Sequence, residues 1–283
     1  MKAMYATDLS EPSLAALDWL FACQKEDFEE VILLHVIDID MYTEGGSLPL
    51  FLETGRKLLE ENAARLRERG LNVRTRVEQG RVVHEIHRVA AEEEAGLVVV
   101  ANVGRGGLAE RALGGTAEAA AAETRVPVLV EKVSGEAGKW CRATAGHTFA
   151  RTVVAVDFSD TSRQALRTVS SFAGVRAILL VHVAGGAEVA DLGSEEERRL
   201  RLDEWALLAE GIKVERELRE GDPVPQIEDA ASAWGATCIA AGLCGHGFVH
   251  RIRWGSVSRE LARTAELPVL LVPPAETERG GGS

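Results

Sequence analysis

The sequence predicts an α/β protein made of two tandem doubly wound parallel-sheet domains, a Rossmann-like architecture. Short apolar runs alternate along the chain with helix-like stretches. Because these runs are continuously apolar, the predicted strands are buried on both faces, as in parallel sheets covered by helices. One order of segments occurs twice within 283 residues. Such an internal repeat indicates duplication of a domain of about 140 residues.

The two copies match segment by segment. Each opens with an apolar run that ends in Asp-apolar-Ser, at residues 4–10 and 153–159. A second strand follows at 31–36 and 178–183, and each ends in His-Val. Helix-like stretches lie at 12–21, 58–69, 162–172 and 198–209, and the later strands at 97–101, 126–130, 238–241 and 267–271. Chance would not preserve this order.

The predicted domains are residues 1–133 and 150–274. Between them, residues 134–149 mix glycines and charges without a sustained period, which is typical of a linker. The tail 275–283 ends in three glycines and is expected to be flexible. In each domain the last strand leaves a sheet edge that needs a cover. We therefore expect the two copies to pair as a pseudo-dimer within the chain.

Composition excludes several classes of protein. A net charge of −12 and a pI near 5.2 disfavour nucleic acid as a partner, because phosphate binding needs clustered cations. The longest apolar runs are too short for a membrane span. The first residues run directly into a strand without a signal-peptide pattern, which predicts a cytoplasmic protein. The four cysteines show neither metal-ligand nor disulfide-framework spacing.

The second copy carries a glycine-rich loop. Its fourth strand is followed by Gly242, two residues, Gly245, nine residues, and then Gly255 and Ser256. Helix-like sequence begins at Val257. Glycines allow close approach of the backbone to a ligand, and the first amides of a helix favour an anion. The nine-residue insert adds a basic cluster on an otherwise acidic chain: His246, His250, Arg251 and Arg253.

This Gly-x2-Gly-x9-Gly-Ser motif, between a strand and a helix, resembles the ATP-binding motif of the universal stress protein family. The resemblance covers nearly the whole chain, as two tandem domains of the adenine nucleotide alpha hydrolase-like fold. It implies a stress-response or regulatory protein that binds ATP or AMP, with Mg²⁺ held through the phosphates as an option. A further homodimer is also compatible with it. The implied site of the second copy is Ala155, Val156, Asp157, Phe158, Val183, Gly221, Gly242, Gly245, His246, Gly247, Gly255, Ser256, Val257 and Ser258.

The first copy is predicted to be the weaker site. Only seven residues separate Gly107 from Gly115 and Thr116, so the loop is expected to lack two residues. Gly80 is followed by Arg-Val, where the second copy has Gly-Asp-Pro. The residues retained for a weaker site are Asp8, Gly104, Gly107, Gly115 and Thr116.

Other interpretations stay open at this point. Glycines serve any tight turn between a strand and a helix, and Asp157 at a strand end is also a candidate helix cap. His35 and His182 are expected to be structural. The fold also accommodates an enzyme that hydrolyses or transfers the phosphate. No Gly-x4-Gly-Lys-[Ser/Thr] sequence is present, so we predict no catalytic residue and at most a weak ATPase. A scaffold with vestigial sites is the third alternative.

Overall fold

The computed structural model describes residues 1–23, 27–39, 48–103, 113–122, 124–135, 139–144, 146–185, 194–245 and 254–275. The chain divides into two compact units, Met1–Gly146 and His147–Ser283. The division falls inside the segment 134–149. Both units are doubly wound α/β folds with a parallel five-stranded arrangement, as the sequence predicts.

The first unit orders its five parallel strands β3-β2-β1-β4-β5. Helices connect consecutive strands, and a 3-10 helix at Asp18–Ala22 extends α1. The elements are β1 Lys2–Thr7, α1 Glu11–Leu17, β2 Glu30–Asp38, α2 Leu48–Arg67, β3 Val73–Gly80, α3 Val82–Glu92, β4 Ala95–Ala101, α4 Gly115–Ala122 and β5 Val128–Glu131.

The second unit repeats this order as β10-β9-β8-β11-β12. Its elements are β8 Arg151–Ala155, α5 Asp160–Ser170, β9 Ala177–Ala184, α6 Glu195–Ala206, β10 Lys213–Glu220, α7 Pro223–Trp234, β11 Cys238–Gly242, α8 Ser256–Thr264 and β12 Val269–Val272. Helix α7 ends at Gly235, whose φ of 68° is the left-handed conformation that glycine accepts without a Cβ penalty.

Burial explains why most strands are apolar, whereas β3 and β10 are not. Strand β2 is buried from Val31 to Val36, and the central strand β8 is buried over Thr152–Val154. Strands β3 and β10, each at one end of the strand order of its unit, are rich in charged residues and mostly only partly buried. Arg76 of β3 pairs with carboxylates on β3 and α3. Charged outer strands discourage edge-to-edge association.

The predicted linker contains regular structure. Strands β6 Val133–Ser134 and β7 Cys141–Arg142 pair antiparallel, and both lie against α1. The Nε of Arg142 is 2.6 Å from Oε1 of Glu131, the last residue of β5, and this carboxylate is fully buried. A buried ion pair therefore fixes the hairpin to the first unit.

Among the described helices, none combines the length and the apolar character that a membrane crossing requires.

Candidate functional site

Each unit reverses its strand order between two neighbouring strands, β1 and β4 in the first and β8 and β11 in the second. Ligands of doubly wound sheets bind in the crevice beyond the carboxyl ends of the strands at this point. Asp157 follows β8, and Gly242 ends β11. The fold thus places the two sequence signals of the second copy beside each other.

Asp157 turns its two carboxylate oxygens to different partners. Oδ1 accepts hydrogen bonds from the backbone N (2.9 Å) and the hydroxyl (2.6 Å) of Ser159. A Cβ at Gly245 would lie 2.7 Å from Oδ2. One oxygen is therefore held by the start of α5, while the other faces the backbone of the glycine loop. The contact requires glycine at position 245.

The helix-cap interpretation of Asp157 is wrong in one respect. The N-cap of α5 is Ser159, which accepts from the backbone N of Ser162. Asp157 instead supports the turn that leads to this cap. Within the turn, Phe158 has a φ of 63°, a conformation that non-glycine residues adopt at an energetic cost of about 1 kcal/mol or more. The Asp157–Ser159 hydrogen bonds offset that cost.

Gly242 and Gly255 meet different requirements. A Cβ at Gly242 would lie 3.0 Å from the backbone N of Ser162, so glycine is needed there for packing of β11 against α5. Gly255 is the N-cap of α8 and donates its N–H to the Leu243 carbonyl at 2.8 Å. Without a side chain, Gly255 cannot cap the helix. The amides of Ser256 and Val257, in the first turn of α8, therefore have no side-chain acceptor at the N-cap.

The Ser258 hydroxyl, unlike the first-turn amides of α8, already has a hydrogen-bond partner in the loop. It is buried and donates to the Leu243 carbonyl at 3.1 Å. The Ser258 side chain thus closes the loop, and a ligand contact through this residue would use its backbone amide.

The remaining predicted residues surround the strand ends. Ala155 ends β8, and Val183 is half-buried near the end of β9. The Val156 carbonyl accepts from Nδ1 of His182 at 2.7 Å. Gly221, with a φ of 120°, follows β10 and donates its N–H to the Ala184 carbonyl. His246 and Gly247 lie outside the described residues.

Hydrogen bonds correct the predicted alignment of the two loops. The backbone N of Asn102 donates to Glu131, as that of Leu243 donates to Val272. The closing bonds also match, since Gly114 donates to the Asn102 carbonyl as Gly255 donates to the Leu243 carbonyl, both at 2.8 Å.

These bonds align Gly104 with Gly245 and Gly114 with Gly255, so nine residues lie between the glycines in both units. The prediction that the first loop lacks two residues was wrong. It took Gly107 as the counterpart of Gly245, whereas the hydrogen bonds make Gly104 that counterpart and align Ala101 with Gly242. Signals for the correct alignment were present: a constant spacing of 141 residues links Gly80 to Gly221 and Pro127 to Pro268.

The first unit keeps much of the site. Asp8 accepts from the backbone N (3.0 Å) and the hydroxyl (2.6 Å) of Ser10, and Leu9 has a φ of 61°. Gly115 and Thr116 begin α4, and a Cβ at Gly115 would meet open space. Gly104 and Gly107 lie outside the described residues. Differences between the two units at the site include Ala101 for Gly242, Gly115 for Ser256, Thr116 for Val257, and Arg81 for Asp222.

Both histidines are held at matching places. His35 Nδ1 lies 2.8 Å from the Thr7 carbonyl, as His182 Nδ1 lies near Val156. A carbonyl partner requires that Nδ1 carry the proton. His182 is 2% exposed, and its Nε2 has no hydrogen-bond partner among the described residues. Burial lowers the pKa of His182, and the nearby charge of Arg198 lowers it further.

The lowered pKa of His182 predicts a pH dependence of stability. The unfolded chain takes up a proton near pH 6.5, while the folded chain resists protonation until a lower pH. The free energy of unfolding should therefore fall as pH drops from about 6.5 through the folded pKa. Denaturant unfolding of the wild type and His182→Asn between pH 5 and 8 tests this, because Asn keeps a donor for Val156 but does not titrate. Parallel pH profiles for the two proteins would contradict it.

The fold and the corresponding loops of the two units define the class of protein. It is a tandem α/β protein, and in each unit a loop that contains glycines precedes the N-terminus of a helix. The sequence pattern of the universal stress protein family matches residues 1–132 and 148–273. The chain belongs to the universal stress protein family, and it contains the family's domain twice.

Known relatives agree with this assignment. Universal stress proteins MJ0531 and MJ0577 of Methanocaldococcus jannaschii are each 30% identical to this chain. The first match spans 46% of this chain and 81% of the relative, and the second spans 46% and 94%. The crystal structure of a universal stress protein from Archaeoglobus fulgidus DSM 4304 has a TM-score of 0.74 at 26% identity. It covers 96% of this chain and 98% of its own.

Proposed function

We propose that this chain is a regulatory protein that binds an adenine nucleotide, ATP or AMP, in the crevice of its second unit. One observation carries the proposal: Oδ2 of Asp157 faces Gly245 at the start of a loop that ends at the uncapped helix α8. A carboxylate accepts hydrogen bonds from ribose hydroxyls, and helix amides donate to phosphates. The two chemistries that a nucleotide needs thus lie at one switch point.

The nucleoside end would contact Ala155, Asp157 and Val183, beyond the ends of β8 and β9. The phosphates would lie over the loop and the first amides of α8, with Gly221 at the border of the crevice. Any Mg²⁺ would be held through the phosphates. We propose binding rather than turnover, because the chain lacks the lysine-bearing phosphate loop of common nucleotide hydrolases.

The first unit is proposed as a second, weaker site of the same kind. Its loop has the same length, and Asp8 is held as Asp157 is. It lacks the Ser256 hydroxyl, since Gly115 occupies that position, and Arg81 replaces Asp222 before the third helix. Loss of the hydroxyl at the first helical position predicts a lower affinity than in the second unit.

Native mass spectrometry of the full chain during titration with ATP or AMP tests both proposals. We expect one nucleotide per chain at low concentration and a second at higher concentration. Gly115→Ser should strengthen the second binding step, because open space surrounds the position and the hydroxyl adds a donor. Absence of any bound nucleotide would refute the function, while two equal sites would refute the ranking of the units. Release of ADP or phosphate on incubation with ATP would indicate turnover instead.

A further inference from the structure

A buried cluster of aromatic side chains lies beside the proposed site, in the second unit. The Phe158 ring packs against His182 (centroids 4.6 Å apart) and edge-on against Trp205 of α6 (5.5 Å). Phe158 is 5% and Trp205 4% exposed. These rings bury the apolar surface between the start of α5, α6 and β9.

Two arginines lie on the rings of this cluster. The guanidinium carbon of Arg201 is 4.2 Å from the Phe158 ring centroid, and that of Arg163 is 5.3 Å from the Trp205 ring centroid. A guanidinium stacked on a ring keeps its N–H donors in the plane of the group, where they can still bind an oxyanion. Stacking also restricts the side chain before a ligand arrives, which reduces the entropic cost of binding.

Neither guanidinium has a carboxylate at ion-pair distance in the part of the chain that the structure describes. Two other arginines of this unit are paired with carboxylates: Arg199 with Glu195, and Arg216 with Asp203. The carboxylate four residues before Arg201 belongs to Glu197, which is already bound to the backbone N of Ser194 at 2.6 Å. The two charges are thus left for a partner outside the described residues.

The first unit does not repeat this feature. Ser10 and Ser159 are the N-caps of α1 and α5, and we use them to align the two units. In this alignment, Leu9 corresponds to Phe158 and Leu14 to Arg163. A general requirement of the fold would have left aromatic or basic residues in both units. The cluster is therefore particular to the second unit.

We infer that Arg163 and Arg201 form a binding site for a phosphate-type oxyanion on the α5–α6 face of the second unit. The ligand class is a small phosphorylated molecule, whose oxygens match the planar fork of arginine. Arg163 and Arg201 are not among the residues proposed to hold the phosphates of the nucleotide, so the inference does not rest on the proposed function. An anion there would lie beside the Asp157–Phe158 turn.

Titration of the full chain with pyrophosphate at constant ionic strength tests the site, followed by calorimetry and by tryptophan fluorescence. The double variant Arg163→Met with Arg201→Met should weaken binding at least 30-fold. Arg167→Met with Arg199→Met removes the same charge from the same two helices and should change the affinity less than twofold. The fluorescence change should disappear in Trp205→Phe, because Arg163 lies on that indole.

Two further variants keep the result unambiguous. Arg163→Lys with Arg201→Lys retains the charge but not the planar fork, and should still lose about tenfold. Gly255→Arg blocks the proposed phosphate site at the glycine loop. It should leave the pyrophosphate affinity of the Arg163–Arg201 site unchanged. Unaltered affinity in the Met double variant, or loss of binding in Gly255→Arg, would overturn the inference. The second outcome would move pyrophosphate to the glycine loop and leave the nucleotide proposal standing.

Discussion

Gly255→Arg is expected to weaken adenine-nucleotide binding by the second unit at least 100-fold, about 3 kcal/mol. The arginine side chain would start at the N-cap of α8, over the first-turn amides that we assign to the phosphates. A Cβ at this position lies 3.4 Å from its nearest neighbours, the Leu243 carbonyl oxygen and the Ser258 hydroxyl. The φ of −63° also suits any residue. The backbone conformation should therefore be kept, while the arginine side chain occupies the space proposed for the phosphates.

Calorimetric titration with ATP, together with circular dichroism, measures this effect. Ser171→Arg is a matched control, since it adds the same charge at an exposed C-cap of α5. Gly245→Arg is less informative, because its Cβ would collide with the Asp157 carboxylate and disturb both halves of the site at once. A folded Gly255→Arg protein with unchanged affinity would show that the nucleotide site is elsewhere.

Local patterns in the sequence were sufficient to predict most of the fold. Continuous apolar runs predicted the buried strands, and each first run ended in the serine, Ser10 or Ser159, that caps the following helix. The hairpin of β6 and β7 could not be predicted in this way. Its strands have two residues each, and it is held by Arg142 and Glu131, which lie 11 residues apart and only meet in the fold.

The candidate site, like the fold, could be predicted from the sequence only in part. The Asp-x-Ser turn and the glycines were visible, because each is required by local geometry. The alignment of the two loops was not, since several neighbouring glycines in the first copy fit one motif equally well. The hydrogen bonds of Asn102 and Leu243 distinguished them, in agreement with the constant spacing of 141 residues between the copies. Arg163 and Arg201 gave no signal, because stacking on Trp205 and Phe158 depends on helix packing.

The hairpin also gives the largest expected effect on stability. Arg142→Met should destabilise the first unit by about 3 kcal/mol, because it removes the ion pair that Arg142 makes with the buried Glu131 carboxylate. In the second unit, the residue at the position of Glu131 is Val272. The double variant Glu131→Val with Arg142→Met replaces the ion pair with apolar side chains, as the second unit has at Val272. It should recover most of the loss, since apolar replacement of a buried ion pair is often neutral.

Native-state hydrogen exchange separates the two units in one experiment, which a single unfolding midpoint cannot do for a two-unit chain. Amides of β4 and β5 should lose protection in Arg142→Met and regain it in the double variant. Amides of β8 and β11 serve as the internal control and should not change. If the single and double variants lose equal protection in β4 and β5, the carboxylate of Glu131 is not the source of the destabilisation. Packing of β6 and β7 against α1 would then be the larger contribution to the stability of the hairpin.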